Sequence, residues 1–142
     1  GQANTFEPGK RPFHTIIPAF VTKDGKPFFS YGVMGGSMQP QGHVQVLMNI
    51  VDFGMDPQEA GDAPRMRHED SSTPEGKSAK GVGNLMLEAG FSPAVKRDLL
   101  FMRHRIGAGV FFGGYQGILL HPESGYYIGA TESRFDGQAV GY

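Results

Sequence analysis

YGVMGGSMQPQGH, residues 31–43, joins two patterns of different period. Before it, Phe28, Phe29, Tyr31 and Val33 form an aromatic and β-branched run that reads as a strand. After it, Val44, Leu47, Met48 and Val51 recur at i, i+3, i+4 and i+7. That is one apolar stripe on a helix of roughly residues 41–53. Gly35 and Gly36 stand at the junction. Two adjacent glycines there fit a plain turn, an anion cradle of backbone amides, or half of a catalytic site whose other half lies elsewhere.

Working outward, TIIPAFV, residues 15–21, predicts a strand interrupted or bordered by Pro18. Thr22-Lys23-Asp24-Gly25-Lys26 carries an Asp-Gly turn, so these two strands should form an antiparallel hairpin. Upstream, EPGKRP crosses the surface as a fixed loop. Downstream, Gly54 stops the helix, and Asp56-Pro57-Gln58-Glu59 restarts a short one. Asp56 suits the N-cap, Pro57 the first turn and Glu59 the third position after the cap. Pro64 ends it.

Residues 67–83 are polar and turn-like and predict a surface loop. Leu85 and Leu87 hint at a brief strand ending at Gly90. Ser92-Pro93 opens a helix whose stripe runs through Val95, Leu99, Met102 and Ile106. Lys96, Arg97, Arg103, His104 and Arg105 are its solvated coat. Val110-Phe111-Phe112 leads back into β pattern, and two strands, Tyr115–Leu120 and Tyr126–Ala130, flank the turn HPESG. The total is about five strands and three helices, an α+β fold with a mostly antiparallel sheet covered by helices. The strands are rich in phenylalanine and tyrosine while the covering helices are few. The chain therefore reads as part of a larger unit, or as one that packs on a partner or dimerises.

Composition removes several classes. The 142 residues suit one modest domain, and 39% hydrophobic with 19% charged residues indicates a folded chain. A net charge of -1 gives no basic field for nucleic acid. The chain has no cysteine, which excludes disulfides and thiolate chemistry. No apolar run reaches the roughly 18 residues of a membrane span, and the first residues carry no signal-peptide pattern. The 22 glycines and 10 prolines follow no period, so most are turn punctuation.

PGKRP (8–12), the glycine pair, DFGM (52–55), Glu59-Ala60, APR (63–65) and the closing Gly141-Tyr142 occur in a specific order. In that order they resemble the small-subunit region of gamma-glutamyltranspeptidases, over nearly the whole chain. The resemblance implies part of an αββα sandwich of the N-terminal nucleophile hydrolase type. In such proteins a precursor cleaves itself and exposes a threonine, which attacks a gamma-glutamyl amide. The acyl-enzyme then passes to water or to an amino acceptor. No metal or cofactor is implied. The nucleophile, the acidic residue that holds the substrate's amino group and the large-subunit residues that grip its carboxylate belong upstream of this sequence. The 142 residues are therefore expected to be a C-terminal portion, inactive alone, with the large subunit and the start of the small subunit as partners. Family members are often exported, which implies a periplasmic or extracellular parent.

The resemblance also assigns residues. Gly35 and Gly36 match the family's oxyanion-hole pair, where backbone N–H groups stabilise the developing charge. After KRP the family has a hydrophobic residue and two serines that touch the substrate carboxylate. Here His14 and Thr15 stand at those positions. Thr15 keeps a hydroxyl, whereas His14 replaces one with a ring, which implies altered specificity toward a related acyl amide. The alternative is a noncatalytic structural or binding module on the same fold.

The remaining polar residues have structural readings. Lys10 and Arg11 anchor their loop, and Arg65, Arg67 and His68 form a structural network. Asp56 is a cap rather than the partner of Asp52 in an acid pair. His68, His104 and His121 lack the spacing of a zinc set. Gly113-Gly114 marks a strand bend or a close-packing point.

Overall fold

Asp24 and Gly25 both take positive φ, 52° and 75°. Such a two-residue turn matches the right-handed twist of flanking strands. It joins β1, Ala19–Lys23, to β2, Lys26–Met34, in antiparallel register with a bulge between Val21 and Thr22. The computed structural model describes residues 2, 5–12, 14–70, 83–109 and 111–142. Strand β1 begins at Ala19, not at Thr15 as expected. Pro18 lacks the N–H that a ladder needs, and the segment before it leaves the sheet.

Helix α1, Met38–Val51, starts directly after Ser37, three residues earlier than the apolar stripe suggested. Asp56 caps α2, Pro57–Asp62, with a complete capping box. Its side chain accepts from the amides of Gln58 and Glu59, both at 2.8 Å, and Glu59 reaches back to the Asp56 amide.

Three further strands follow the expected layout less closely. Met66–Glu69 is β3, all but its first residue within the stretch that read as a loop. It pairs antiparallel with β4, Asn84–Leu87. The expected loop's middle, 71–82, lies outside the described residues. Helix α3, Pro93–Phe101, is capped by Ser92 and ends before Ile106. Arg103 adopts φ 67°, which breaks the helix, and Arg105–Ala108 becomes β5, parallel to β4. Phe111 and Phe112 belong to no strand, and Val110 lies outside the described residues. The chain closes with β6, Gly114–Leu120, and β7, Tyr127–Thr131.

The described residues thus form seven strands and three helices, in two sheets rather than one. The larger sheet has the order β1-β2-β6-β7, all antiparallel, and the smaller is β3-β4-β5. Alternation sets the core. Phe29, Tyr31 and Val33 of β2, Tyr115 and Leu119 of β6, and Ala130 of β7 turn to one face and pack with Val46, Ile50 and Ala60 of the helices. Phe29 and Tyr31 stack with centroids 4.5 Å apart. On the opposite face Phe20, Met34 and Ile118 remain more than half exposed.

Glutamines of α1 connect the two sheets. Gln41 and Gln45, one turn apart, each pair their amide with both backbone groups of alternate β3 residues. Gln41 bonds His68, and Gln45 bonds Met66. The same device recurs where Gln58 of α2 bonds both backbone groups of Thr131.

Candidate active site at the glycine pair

The path of β2 into α1 requires glycine. Gly35 sits at φ 135° and Gly36 at φ 58°, in the region that side chains avoid. Crowding adds to this at Gly35. A Cβ there would lie 2.9 Å from a ring carbon of Phe111, 3.2 Å from the Gly113 Cα and 3.3 Å from the Met38 Cβ. A Cβ on Gly36 would meet open space. One glycine is therefore packed against the fold and the other faces outward.

Both carbonyls point into the helix. Gly35 C=O accepts from the Met38 amide at 3.1 Å, and Gly36 C=O from the Gln39 amide at 3.0 Å. Among the described residues neither glycine N–H has an acceptor. Ser37 makes no side-chain cap, and no acid lies in the first turn of α1. The start of this 14-residue helix thus presents donors and positive potential that no carboxylate of the helix offsets.

The wall behind Gly35 is held by a buried cation. Arg65 donates through Nη1 to the carbonyls of Phe112 and Gly113, both at 3.0 Å, and through Nη2 to Gly61 at 2.7 Å and to Glu132 Oε2 at 2.9 Å. Arg65 and Glu132 side chains are about 2% and 1% exposed. Arg134 completes the group by bonding Glu132 at 2.7 Å and gripping Glu88 with two nitrogens. Glu88 in turn accepts from the Arg65 amide at 2.8 Å.

Burial pushes the Glu132 carboxyl up, but the Arg134 hydrogen bond, the Arg65 charge and the amides of Tyr115 and Arg134 outweigh it and hold it below the usual range. Glu88 is likewise depressed: burial opposes, and Arg134 with the Arg65 amide prevails. Arg134 is raised, chiefly by its bond to Glu88. Of the network expected of Arg65, Arg67 and His68, only Arg65 belongs to this group, with Glu88, Glu132 and Arg134 as members that the pattern did not single out; Arg67 bonds Glu69 and the Phe111 carbonyl, and His68 meets Gln41 through its backbone. Gly113, at φ 80°, is a close-packing point as expected. A Cβ there would lie 2.6 Å from the Met34 carbonyl oxygen.

Thr15 is brought to the same region. Its carbonyl accepts from Gln39 Nε2 at 2.9 Å, which ties the segment after KRP to the first turn of α1, directly behind the glycine pair. His14 and Thr15 are both exposed there. Gln39 was missed because a glutamine near a helix start carries no pattern of its own. Arg67 pairs with Glu69 at 3.1 Å, close to Ser37. Lys10 donates to the Thr5 carbonyl at 3.0 Å, which anchors its loop through a backbone acceptor. No group of three metal-ligating side chains occurs among the described residues, nor any helix long and apolar enough to cross a membrane.

A gamma-glutamyltranspeptidase family model matches residues 1–142. The chain belongs to this family. A glutathione hydrolase-like YwrD proenzyme of Bacillus subtilis is 34% identical over 97% of the chain, which covers 26% of that protein. The chain thus spans about a quarter of such relatives. Among solved structures, a cephalosporin acylase from Bacillus halodurans is 42% identical with a TM-score of 0.76, covering 95% of this chain and 24% of that one. A gamma-glutamyltranspeptidase from Helicobacter pylori is 28% identical with a TM-score of 0.74, covering 95% of this chain and 69% of that one. The α+β arrangement is that of the N-terminal nucleophile hydrolase type found in this family.

Proposed function

We propose that these residues form the oxyanion side and part of the substrate wall of a threonine-nucleophile amidohydrolase or acyltransferase. The observation that carries this reading is the glycine pair: two amides without acceptors among the described residues, at the start of a helix with no acid in its first turn. When a hydroxyl attacks an amide carbonyl, charge moves to the carbonyl oxygen. Donors fixed in advance stabilise that charge without reorganising, and losing one such donor costs about 2.7–4 kcal/mol of barrier. Gly35 and Gly36 supply these donors through their backbones. His14 and Thr15 line the acyl side of the substrate.

The attacking threonine, and the free amine that accepts and returns its proton, come from the rest of the parent protein. The leaving amine departs as the acyl-enzyme forms, and water or a second amine releases the acyl group. The 142 residues alone carry no turnover. The relatives' names support an amide substrate, since they include a glutathione hydrolase-like proenzyme and an acylase.

The test uses the full-length parent, by intact mass spectrometry and N-terminal sequencing. Two chains, with a new threonine terminus upstream of these residues, are the expected result. A single chain that stays unprocessed for days under native conditions would overturn the reading.

A further inference from the structure

The two parts of the proposed site are placed by different means. Gly35 and Gly36 follow β2 and lead into α1, so a strand and a helix both fix them. His14 and Thr15 have no such frame. The ladder of β1 starts at Ala19, and no strand pairing reaches back to Thr15. Among the described residues, the hydrogen bond that Thr15 makes is to Gln39, 24 positions on.

Gln39 is itself firmly planted. Its N–H donates to the Gly36 carbonyl at 3.0 Å. Its own carbonyl lies 2.5 Å from Nδ1 of the buried His43. A carbonyl oxygen only accepts, so the proton of that contact sits on Nδ1. Both backbone groups of Gln39 are thus engaged before its side chain acts. Thr15 and Gly36 are joined through this one residue, the first by its side chain and the second by its backbone.

The helix does not need the Thr15 bond for its own seat. Met38, Val46 and Ile50 are buried, and Gln41 and Gln45 tie α1 to β3. Those two glutamines each bond both backbone groups of a strand residue. Gln39 bonds one carbonyl of a stretch outside any strand. What its amide holds in place is that stretch, against a helix the rest of the fold has already fixed.

We propose that Gln39 is a positioning residue: its side chain sets the spacing between the acyl-side residues His14 and Thr15 and the oxyanion donors of Gly35 and Gly36. The inference rests on the amidohydrolase reading and adds to it a residue that acts through its neighbours. The side chain holds the acyl-side stretch and leaves the glycine amides as they are. It therefore governs how well the acyl group is held, not the charge that develops during attack. Losing such an interaction weakens ground state and transition state alike, which raises KM and leaves kcat in place.

The test uses the processed full-length parent with gamma-glutamyl and phenylacetyl p-nitroanilide, whichever it cleaves faster. Gln39→Met keeps the side-chain length and the helix propensity and removes the donor. It is expected to raise KM about three- to tenfold, the scale of one hydrogen bond, with kcat within about twofold. Gln45→Met is the control, since it removes two bonds to β3 from the same helix and should leave both constants unchanged. An unchanged KM in Gln39→Met, an equal rise in Gln45→Met, or a loss confined to kcat would overturn the proposal. So would a Gln39→Met parent that no longer processes itself, because the side chain would then serve the glycine pair directly.

If the wild-type parent cleaves neither anilide, the amidohydrolase reading fails, and crystal structures of the parent and its Gln39→Met variant decide the spacing separately. Thr15 displaced from α1 in the variant supports the role of Gln39. Thr15 unmoved overturns it.

Discussion

Gln45 lays its side-chain amide along the outer edge of β3, donating to the Met66 carbonyl at 2.9 Å and accepting from the Met66 amide at 2.8 Å. One helical turn earlier Gln41 does the same to His68. The two side chains stand in for a neighbouring strand and satisfy an edge that would otherwise be open to another chain.

A carboxylate cannot make this pairing, because it only accepts. Gln45→Glu should therefore set an oxygen against the Met66 carbonyl and destabilise the parent by about 1–3 kcal/mol at neutral pH. A protonated glutamic acid regains one donor. The gap in Tm between Gln45→Glu and wild type should narrow toward pH 4. A gap that does not change with pH would show that lost packing, not the donor, causes it.

The two glycines between β2 and α1 should respond differently. Alanine at Gly36 costs about 1–2 kcal/mol for its left-handed backbone, keeps the amide N–H and meets open space. Alanine at Gly35 collides with the Phe111 ring and the Gly113 backbone, so the loop must move. Misplacement by an ångström near reacting atoms costs about a hundredfold. In the processed parent, Gly35→Ala should lower kcat by about that factor and Gly36→Ala by clearly less. Equal losses would count against a packed and an outward glycine.

Removing one member of the buried ion group leaves the others uncompensated. Arg65→Ala should destabilise by about 3–5 kcal/mol, since Glu132 is then a buried carboxylate with one cation fewer. Arg97→Ala is the control, because its contact with Asp98 is at 3.8 Å on the exposed face of α3. Urea denaturation of both variants separates them, and a loss for Arg65→Ala as small as the control's would contradict the network.

The same group sets an acid limit. Glu88 and Glu132 have folded values below their unfolded ones, near 4.3 for a free glutamate. Their contribution is complete above that value and disappears as pH falls through the depressed folded values. Tm of the parent should therefore fall below about pH 4, and Glu132→Gln should fall less steeply there while being less stable at pH 7. Parallel curves would remove Glu132 from the acid transition.

Local chemistry made part of this readable. The Asp24-Gly25 turn, the Asp56 cap and the Ser92-Pro93 start each depend on residues within a few positions, and each stands where the pattern put it. So does the glycine pair, because a strand period changes to a helix period across it. Ile106 misled because it continues the helical spacing, while its actual partner is Leu85 across a parallel ladder. Strand β3 was hidden in a polar stretch, since glutamines of a distant helix bond its second edge. Arg65 and Glu132 are 67 positions apart, and no spacing rule joins them. His14 and Thr15 came from family likeness, and Gln39, which ties Thr15 to the glycine loop, came only from the fold.

The placement of Glu132 also imposes timing. Arg65 fixes the carbonyls behind Gly35, but it cannot be buried comfortably until Glu132 arrives to face it. A ribosome delivers Glu132 and Arg134 only after β7 has emerged, and chains fold from the N-terminal side as they are made. The backing of the glycine loop is therefore among the last parts of this region to be completed. The fixed shape of the loop is withheld from a half-made chain.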